Sequence, residues 1–186
     1  KIVHSLTDNT EPNGWDHQSP NEAILNLNYE HRWRWLDMKQ DSWGIDGIIS
    51  GGAMLGNLIT QAHSGITIRA GINVPDNYSV PPPFLGEQAI GSRPNTIAYD
   101  EGYSTYAYIN LDIAAINHAA FWDGTLLHDS PSVDRDVLLT RIQYGIHQSF
   151  PNMSIDVAMV IQSIPWDAPT NRNSDNYGRI GLAFKF

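Results

Sequence analysis

The chain has 186 residues, 41% of them hydrophobic, no cysteine and a formal net charge of -9, enough length for one domain with a substantial core. The acidic balance argues against a nucleic-acid partner, because neutralising phosphates takes clustered Lys and Arg; the missing cysteines exclude disulfides and thiolate metal sites and are compatible with an oxidising envelope compartment. Mean hydropathy is -0.31 and no apolar run is long enough to cross a membrane as a helix, but a membrane β-barrel remains open, because its lipid-facing and lumen-facing residues alternate and cancel in any average.

About seven segments carry the period-two alternation of a strand. In the first, Ala23, Leu25, Leu27, Tyr29, Trp33 and Trp35 share one face, and Glu22, Asn26, Asn28, Glu30, Arg32 and Arg34 the other. The second and third run near Ile45–Leu55 and Gly65–Val74; in the third, Ile66, Ile68, Ala70, Ile72 and Val74 oppose Thr67, Arg69 and Asn73. The fourth is expected over Tyr103–Asn117, the fifth over Val137–His147 and the sixth over Met153–Ile164, where Met153, Ile155, Val157, Met159 and Ile161 form an unbroken apolar face. In the seventh, Tyr177–Phe186, Gly178, Ile180, Leu182, Phe184 and Phe186 share one face. These segments exceed the usual five or six residues of a soluble strand and suit the roughly ten tilted residues that span a bilayer. Arg69 and Arg141 sit on polar faces and are expected to pair with lumen carboxylates such as Asp112.

The connectors Lys39–Ser42 and Ser149–Asn152 read as short turns. The segments before the first strand, around Phe121–Asp134 and around Pro165–Asn176, are long and polar. Short turns at one end and long loops at the other are a barrel pattern, and counting back from a last strand that ends in the periplasm puts those three loops outside the cell. Pro75–Ala98, with Pro81-Pro82-Pro83, is the exception: it is long, falls on the periplasmic side and is expected to be irregular and partly extended. Single-chain barrels have even strand counts. An odd count, and a start inside a loop with no leader at Lys1, predict that an amino-terminal part of the barrel lies outside residues 1–186.

Two resemblances sharpen this reading. The alternating last strand with its terminal Phe186 resembles the closing strand of bacterial outer-membrane β-barrels. The opening run His4…Pro12-Asn-Gly14-Trp15-Asp16-His-Gln18…Glu22 is similar to a motif of the lipid A 3'-O-deacylase family of outer-membrane barrels. Further matches follow in order: Ser50–Asn57 with Gly65–Gly71 and Asn73–Asp76, then Phe121-Trp-Asp-Gly124 with Asp129-Ser-Pro-Ser-Val133. The resemblance covers essentially the whole chain.

The resemblance implies an all-β, transmembrane, antiparallel up-and-down barrel of twelve strands, of which residues 1–186 form the carboxy-terminal part as a single domain, with a short helix in an extracellular loop. It implies an outer-membrane hydrolase that removes the 3'-linked acyloxyacyl group from lipid A of lipopolysaccharide, with outer-membrane lipid around it. His4 takes the place of the family's general base, and calcium serves at the oxyanion. A base of near-neutral pKa and a cation at the developing negative charge suit ester hydrolysis. Glu11, Gly14, Trp15 and Asp16 are the candidates for positioning His4 and the substrate. No segment matches the family's metal-binding residues, so no metal ligand is expected in this chain, the calcium ligands are expected in the missing amino-terminal part, and the fragment alone is expected to be inactive.

Trp122, Asp123 and Gly124 are expected to make a structured turn, with Asp123 capping backbone amides; His128 and Asp129 nearby are weaker substrate-facing candidates. His17, His31, His63, His118 and His147 lack ligand spacing with carboxylates, and neither a Gly-rich phosphate loop nor a Gly-x-Ser-x-Gly elbow is present. The alternatives are a non-enzymatic barrel or pore of the same fold, and a soluble antiparallel sandwich whose apolar faces bury one another.

Overall fold

The computed structural model describes residues 22–79, 102–126, 128, 130–166 and 174–184. They form seven strands, β1 (Asn26–Gln40), β2 (Trp43–Gly56), β3 (Ile59–Ile72), β4 (Ser104–Ala119), β5 (Leu138–Phe150), β6 (Met153–Ser163) and β7 (Ser174–Phe184), with a one-turn helix α1 (Ala120–Asp123) between β4 and β5. Each strand pairs antiparallel with the next, giving a single seven-stranded sheet in sequence order. β1 and β7 are its two edges and do not pair with each other. The strands run from 11 to 16 residues, the length that crosses hydrocarbon when tilted.

Among the described residues no second sheet covers the apolar faces. Leu27, Trp33, Ile49, Leu55, Ile66, Leu111, Ile142, Tyr144, Val157, Met159, Ile180 and Leu182 are all exposed, which removes the soluble sandwich. An apolar surface this continuous is not left in water. Aromatic side chains gather near one end of it, with Trp35, Trp43, Tyr103 and Phe184 exposed and Tyr103 edge-on to Phe150 at 5.8 Å. Such a band suits the bilayer interface.

The opposite face is polar and buried. Asp46, Thr67, Arg69, Asn110, Asp112, Arg141, Gln143, His147 and Asp156 all lie there. A buried charge is tolerated only when paired and hydrogen-bonded, and these are. Arg141 donates to Asp112 from Nη2 at 2.6 Å and from Nε at 3.2 Å. Asp112 also accepts from Asn110 at 2.5 Å, and Asn110 accepts from Thr67 Oγ1 at 2.6 Å. Asp156 accepts from Arg179 at 2.5 Å and from the Tyr108 hydroxyl at 3.2 Å, and that hydroxyl accepts from Gln143 at 3.0 Å. Arg141 thus takes the expected Asp112, while Arg69 takes Asp46.

The sheet has a turn end and a helix end. The turn end carries the two-residue β1–β2 and β5–β6 turns and the finish of β7; the helix end carries α1 and the start of β1. Two features depart from the sequence expectation. β3 begins at Ile59, so β2 and β3 are joined at the helix end by Asn57 and Leu58 alone, and the separation of long loops from short turns has a second exception there. Val74 does not continue the outer face of β3. Asn73 adopts a left-handed φ of 51°, the strand ends, and Val74 turns inward to pack with Tyr106, Tyr108 and Ala158. The register of β1 against β2 also shifts between Arg34 and Leu36, a bulge that changes the phase of β1 so that Asp37 pairs with interior Asp46 and Met38 with Ile45. The helix expected after His4 lies outside the described residues; α1 belongs to a different connector.

The facing of the sheet gives a direct test. Replacing outward Leu111 at mid-strand by Arg should cost about 2–4 kcal/mol of folding free energy in lipid bilayers, measured as the urea dependence of the heat-modifiable gel band. In water an exposed Leu→Arg change would stay within about 0.5 kcal/mol.

Candidate functional site at the helix end

Three pieces of chain meet at this rim: the approach to β1, the β2–β3 turn, and α1 with the connector behind it. Asn57 ties the first two. Its Nδ2 donates to Glu22 Oε1 at 2.9 Å and to the Ala23 carbonyl at 2.6 Å, and its Oδ1 accepts from the Leu25 amide at 2.8 Å. Its own amide donates to the Leu25 carbonyl at 3.2 Å. A Cβ on the preceding Gly56 would collide with Asn26 Oδ1 and the Leu25 carbonyl, so glycine is required for the strand to lie this close. The Gly56-Asn57 pair in the sequence motif is therefore a clamp on the approach to β1.

The β2–β3 turn is tied in turn to α1. The Leu58 carbonyl accepts from the Ala120 amide at 2.8 Å, and the Asn57 carbonyl accepts from His118 Nε2 at 3.1 Å. Asp123 then holds the helix: its Oδ2 accepts from the Ala119 amide at 2.7 Å and from Arg135 Nη2 at 2.5 Å, and its Oδ1 from Arg135 Nε at 2.9 Å. Arg135 also donates to the Ile116 carbonyl at 3.0 Å and lies 5.4 Å above the Trp122 ring. The expected cap by Asp123 is present, and Arg135 is the partner that sequence reasoning did not name.

The two halves of the connector motif interlock. Gly124 has a φ of 78°, a conformation natural to glycine, and it brings Ser130 close. Ser130 Oγ accepts from the Thr125 amide at 2.6 Å, the Thr125 hydroxyl donates to the His128 carbonyl at 3.0 Å, and the Val133 amide donates to the Trp122 carbonyl at 2.7 Å. His128 is exposed and serves here through its backbone. Trp122 stands edge-on to Phe121 at 4.9 Å and to Trp166 at 6.1 Å, which joins this connector to the start of the β6–β7 connector.

Below the rim the interior turns apolar, with Met54, Ile59, Ala114, Ile116, Ala119 and Leu139 packed together and Leu58 and Trp122 against them. At the rim, Glu22, Ile24, Asn57, Leu58, Ala120, Phe121 and Thr125 line a cavity of about 240 Å³. Of the candidate residues read from the sequence, His4, Glu11, Gly14, Trp15, Asp16 and Asp129 lie outside the described residues. Glu22, the last residue of the His4 run, is described and sits in the cavity wall. Among the described residues no three His, Asp or Glu side chains converge as metal ligands would. The histidines have other partners: His31 is edge-on to Trp33 at 4.3 Å, His63 faces Glu30 at 4.0 Å, and His147 stacks on Tyr106 at 5.0 Å and faces Asp156 at 3.7 Å.

Residues 1–186 match a family model described as outer membrane protein LpxR. Comparison with the curated proteins gives no match. Among solved structures, LpxR from Salmonella typhimurium is similar with a TM-score of 0.72 at 13% identity; the likeness covers 100% of this chain and 60% of that one. At that identity it speaks for the fold, a run of barrel wall spanning about three-fifths of the Salmonella chain.

Burial raises the Asp123 carboxyl, but the Arg135 hydrogen bonds, the Ala119 amide and the Arg135 charge outweigh it and hold the group below the usual carboxylate range. A depressed carboxylate stabilises the fold fully above its unfolded value, about 4, and loses that contribution as pH falls through the lower folded value. The near-UV circular dichroism of the Trp122–Trp166 pair should therefore hold from pH 7 to about 4 and change only below. Asp123→Asn should show the loosened signal at neutral pH, with proteolytic nicking between Gly124 and Asp134 faster by about tenfold, the equivalent of one charge-assisted hydrogen bond.

Proposed function

Since the chain belongs to the outer membrane protein LpxR family and the outer membrane is its location, we propose that the protein hydrolyses an ester of lipid A, removing the 3'-linked acyloxyacyl group. The observation that carries this reading is the clamped position of Glu22. The motif run that begins at His4 ends on a residue fixed at the helix-end rim, beside a cavity whose walls include Ile24, Leu58, Ala120 and Phe121. An ester hydrolase for a membrane lipid needs this junction, where a hydrocarbon chain stays among apolar groups while its ester meets water and a base. In this proposal the helix end faces the cell exterior.

His4 acts as general base. It takes a proton from a water molecule as the water oxygen bonds to the ester carbonyl carbon. When the tetrahedral intermediate collapses, the carbon–oxygen bond to the sugar breaks and His4 returns the proton to the departing alkoxide. Glu11, Gly14, Trp15 and Asp16 are proposed to position His4 and the acyl chain. Calcium is the cofactor that the family resemblance implies. The described residues do not form a site for it: the rim carboxylates Glu22 and Asp123 are engaged by Asn57 and Arg135, and no cluster of ligands accompanies them. On the family resemblance, we propose that its ligands come from outside residues 1–186, so that residues 1–186 alone would be inactive.

A pore of the same fold is the rival. The inner face at the helix end carries the apolar cluster around Ile116 and Trp122, where a water-filled passage would call for polar groups.

The test is mass spectrometry of lipid A from cells making the protein as its host encodes it. Cells with the wild type should yield lipid A lighter by one acyloxyacyl group. His4→Ala should lower that conversion by about 10²–10⁴-fold with the heat-modifiable gel band intact, and chelation should suppress it until calcium is restored. Unchanged lipid A with the folded wild type would return the reading to the pore or to a structural barrel.

A further inference from the structure

The described start of the β3–β4 connector does not leave the sheet at the turn end. It folds back against the interior. Asn73 redirects it: its amide donates to the Ser42 carbonyl at 2.6 Å and its Nδ2 to the Tyr103 carbonyl at 2.9 Å. Val74 is buried with Tyr106 and Tyr108 of β4 and Ala158 of β6. From there the segment runs back over the inner ends of β3 and β2 towards β1.

Four cations from β1 and β3 then hold residues 75–79. Arg69 Nη2 donates to the carbonyls of Pro75 at 3.1 Å and Asn77 at 3.0 Å, and Nη1 to Asn77 Oδ1 at 2.7 Å and to the Ser79 carbonyl at 3.4 Å. Its Nε and Nη2 also donate to Asp46. Arg34 Nη2 donates to the Asn77 carbonyl at 2.8 Å and Nη1 to Asp76 at 3.3 Å, with its guanidinium 4.9 Å from the Tyr78 ring centre. Arg32 donates to the Tyr78 carbonyl at 3.0 Å, and Lys39 pairs with Asp76. Arg69 is 1% exposed, and satisfying so many buried acceptors from one side chain takes the planar, five-donor fork of arginine, which lysine lacks.

A surface loop has no use for such a set of contacts. Strand-to-strand connection needs only the covalent chain, and the pairing of Arg69 with Asp46 already satisfies that carboxylate. Four inward-facing cations on one short segment make sense if the segment must stay inside against the pull of solvation on its own carbonyls. We propose that residues 74–79 are an internal strap that closes the interior at the turn end to hydrophilic solutes, with Arg69 and Arg34 as its anchors. This closure is independent of which reaction the rim performs.

Residues 1–186 have no cysteine, so a thiol introduced there, with any cysteine encoded outside them replaced by serine, reports solvent access cleanly. Ser50 is buried on the inner face of β2, further from the turn end than Asp46. In Ser50→Cys protein, prepared as its host encodes it and folded in detergent, a negatively charged thiol reagent should react slowly. Adding Asp76→Gly and Asn77→Gly, which remove strap side-chain contacts and leave every strand residue in place, should speed the reaction by at least about tenfold, the effect of losing roughly one hydrogen bond to a charged group. Asp134→Gly at the other end should not. An intact heat-modifiable gel band certifies each fold, and Arg69→Lys gives a second opening of the strap if the double variant fails to fold. The proposal is overturned if the labelling rate is the same with and without the strap contacts, or if Cys at position 50 in the otherwise unaltered protein labels as fast as in urea.

Discussion

A strand that faces hydrocarbon on one side and packed protein on the other leaves its backbone no water to bond with, and every amide and carbonyl within the membrane must find a partner in the next strand. That requirement explains the uninterrupted pairing of β1 through β7 and the length of each strand. It also reverses the usual distribution of side chains. Leu111 and Ile109 are half exposed while Asp112 and Asn110 between and beside them are almost wholly covered. In water this arrangement would unfold; against lipid it is the only one in which the apolar groups lose nothing.

The reversal moves the structural difficulty to the interior, where charges are crowded into little space. The sheet meets it with hydrogen-bonded chains rather than isolated pairs: Thr67–Asn110–Asp112–Arg141 in one place, Gln143–Tyr108–Asp156–Arg179 in another. Removing one member of such a chain strands a buried charge, which costs far more than the pair contributes. The two ends are finished differently. The helix end is packed with aliphatic groups and Trp122, whereas the turn end recruits backbone carbonyls of residues 75–79 to occupy the donors of Arg34 and Arg69. A polar end needs a polar filling, and a folded-back segment of main chain is dense in acceptors.

The sequence made the strands legible because period two is a geometric necessity wherever one face is greasy and the other polar. It failed where that contrast is weak. Residues 59–64 went unassigned because their outward members, Thr60, Ala62 and Ser64, are small or polar, and Ile59 points inward, fully buried; the apolar signal there has the opposite phase. Val74 misled because alternation carries no notice of the left-handed residue before it. Arg69 was recognisable as an interior cation, but its carbonyl partners were not, since a backbone acceptor has no sequence signature. The rim was half legible: Gly56, Asn57, Asp123 and Gly124 stood out as motif residues, yet only coordinates reveal that Asn57 grips Glu22 and that Asp123 grips Arg135.

That last point bears on which motif residues can do chemistry. A carboxylate that accepts two hydrogen bonds from an arginine and one from a backbone amide, as Asp123 does, is fixed in its anionic state and has little lone-pair capacity left for a substrate or a metal. Asn57 spends both ends of its amide on the approach to β1, and Gly56 and Gly124 act through what they lack. The motifs that can be followed atom by atom thus resolve into clamps that fix the height and tilt of the rim. A motif set in which these positions are architectural leaves the reactive role to residues whose side chains are not already committed. The proposed function places that role on His4, with Glu11, Gly14, Trp15 and Asp16 around it, in the run that precedes Glu22 in the sequence.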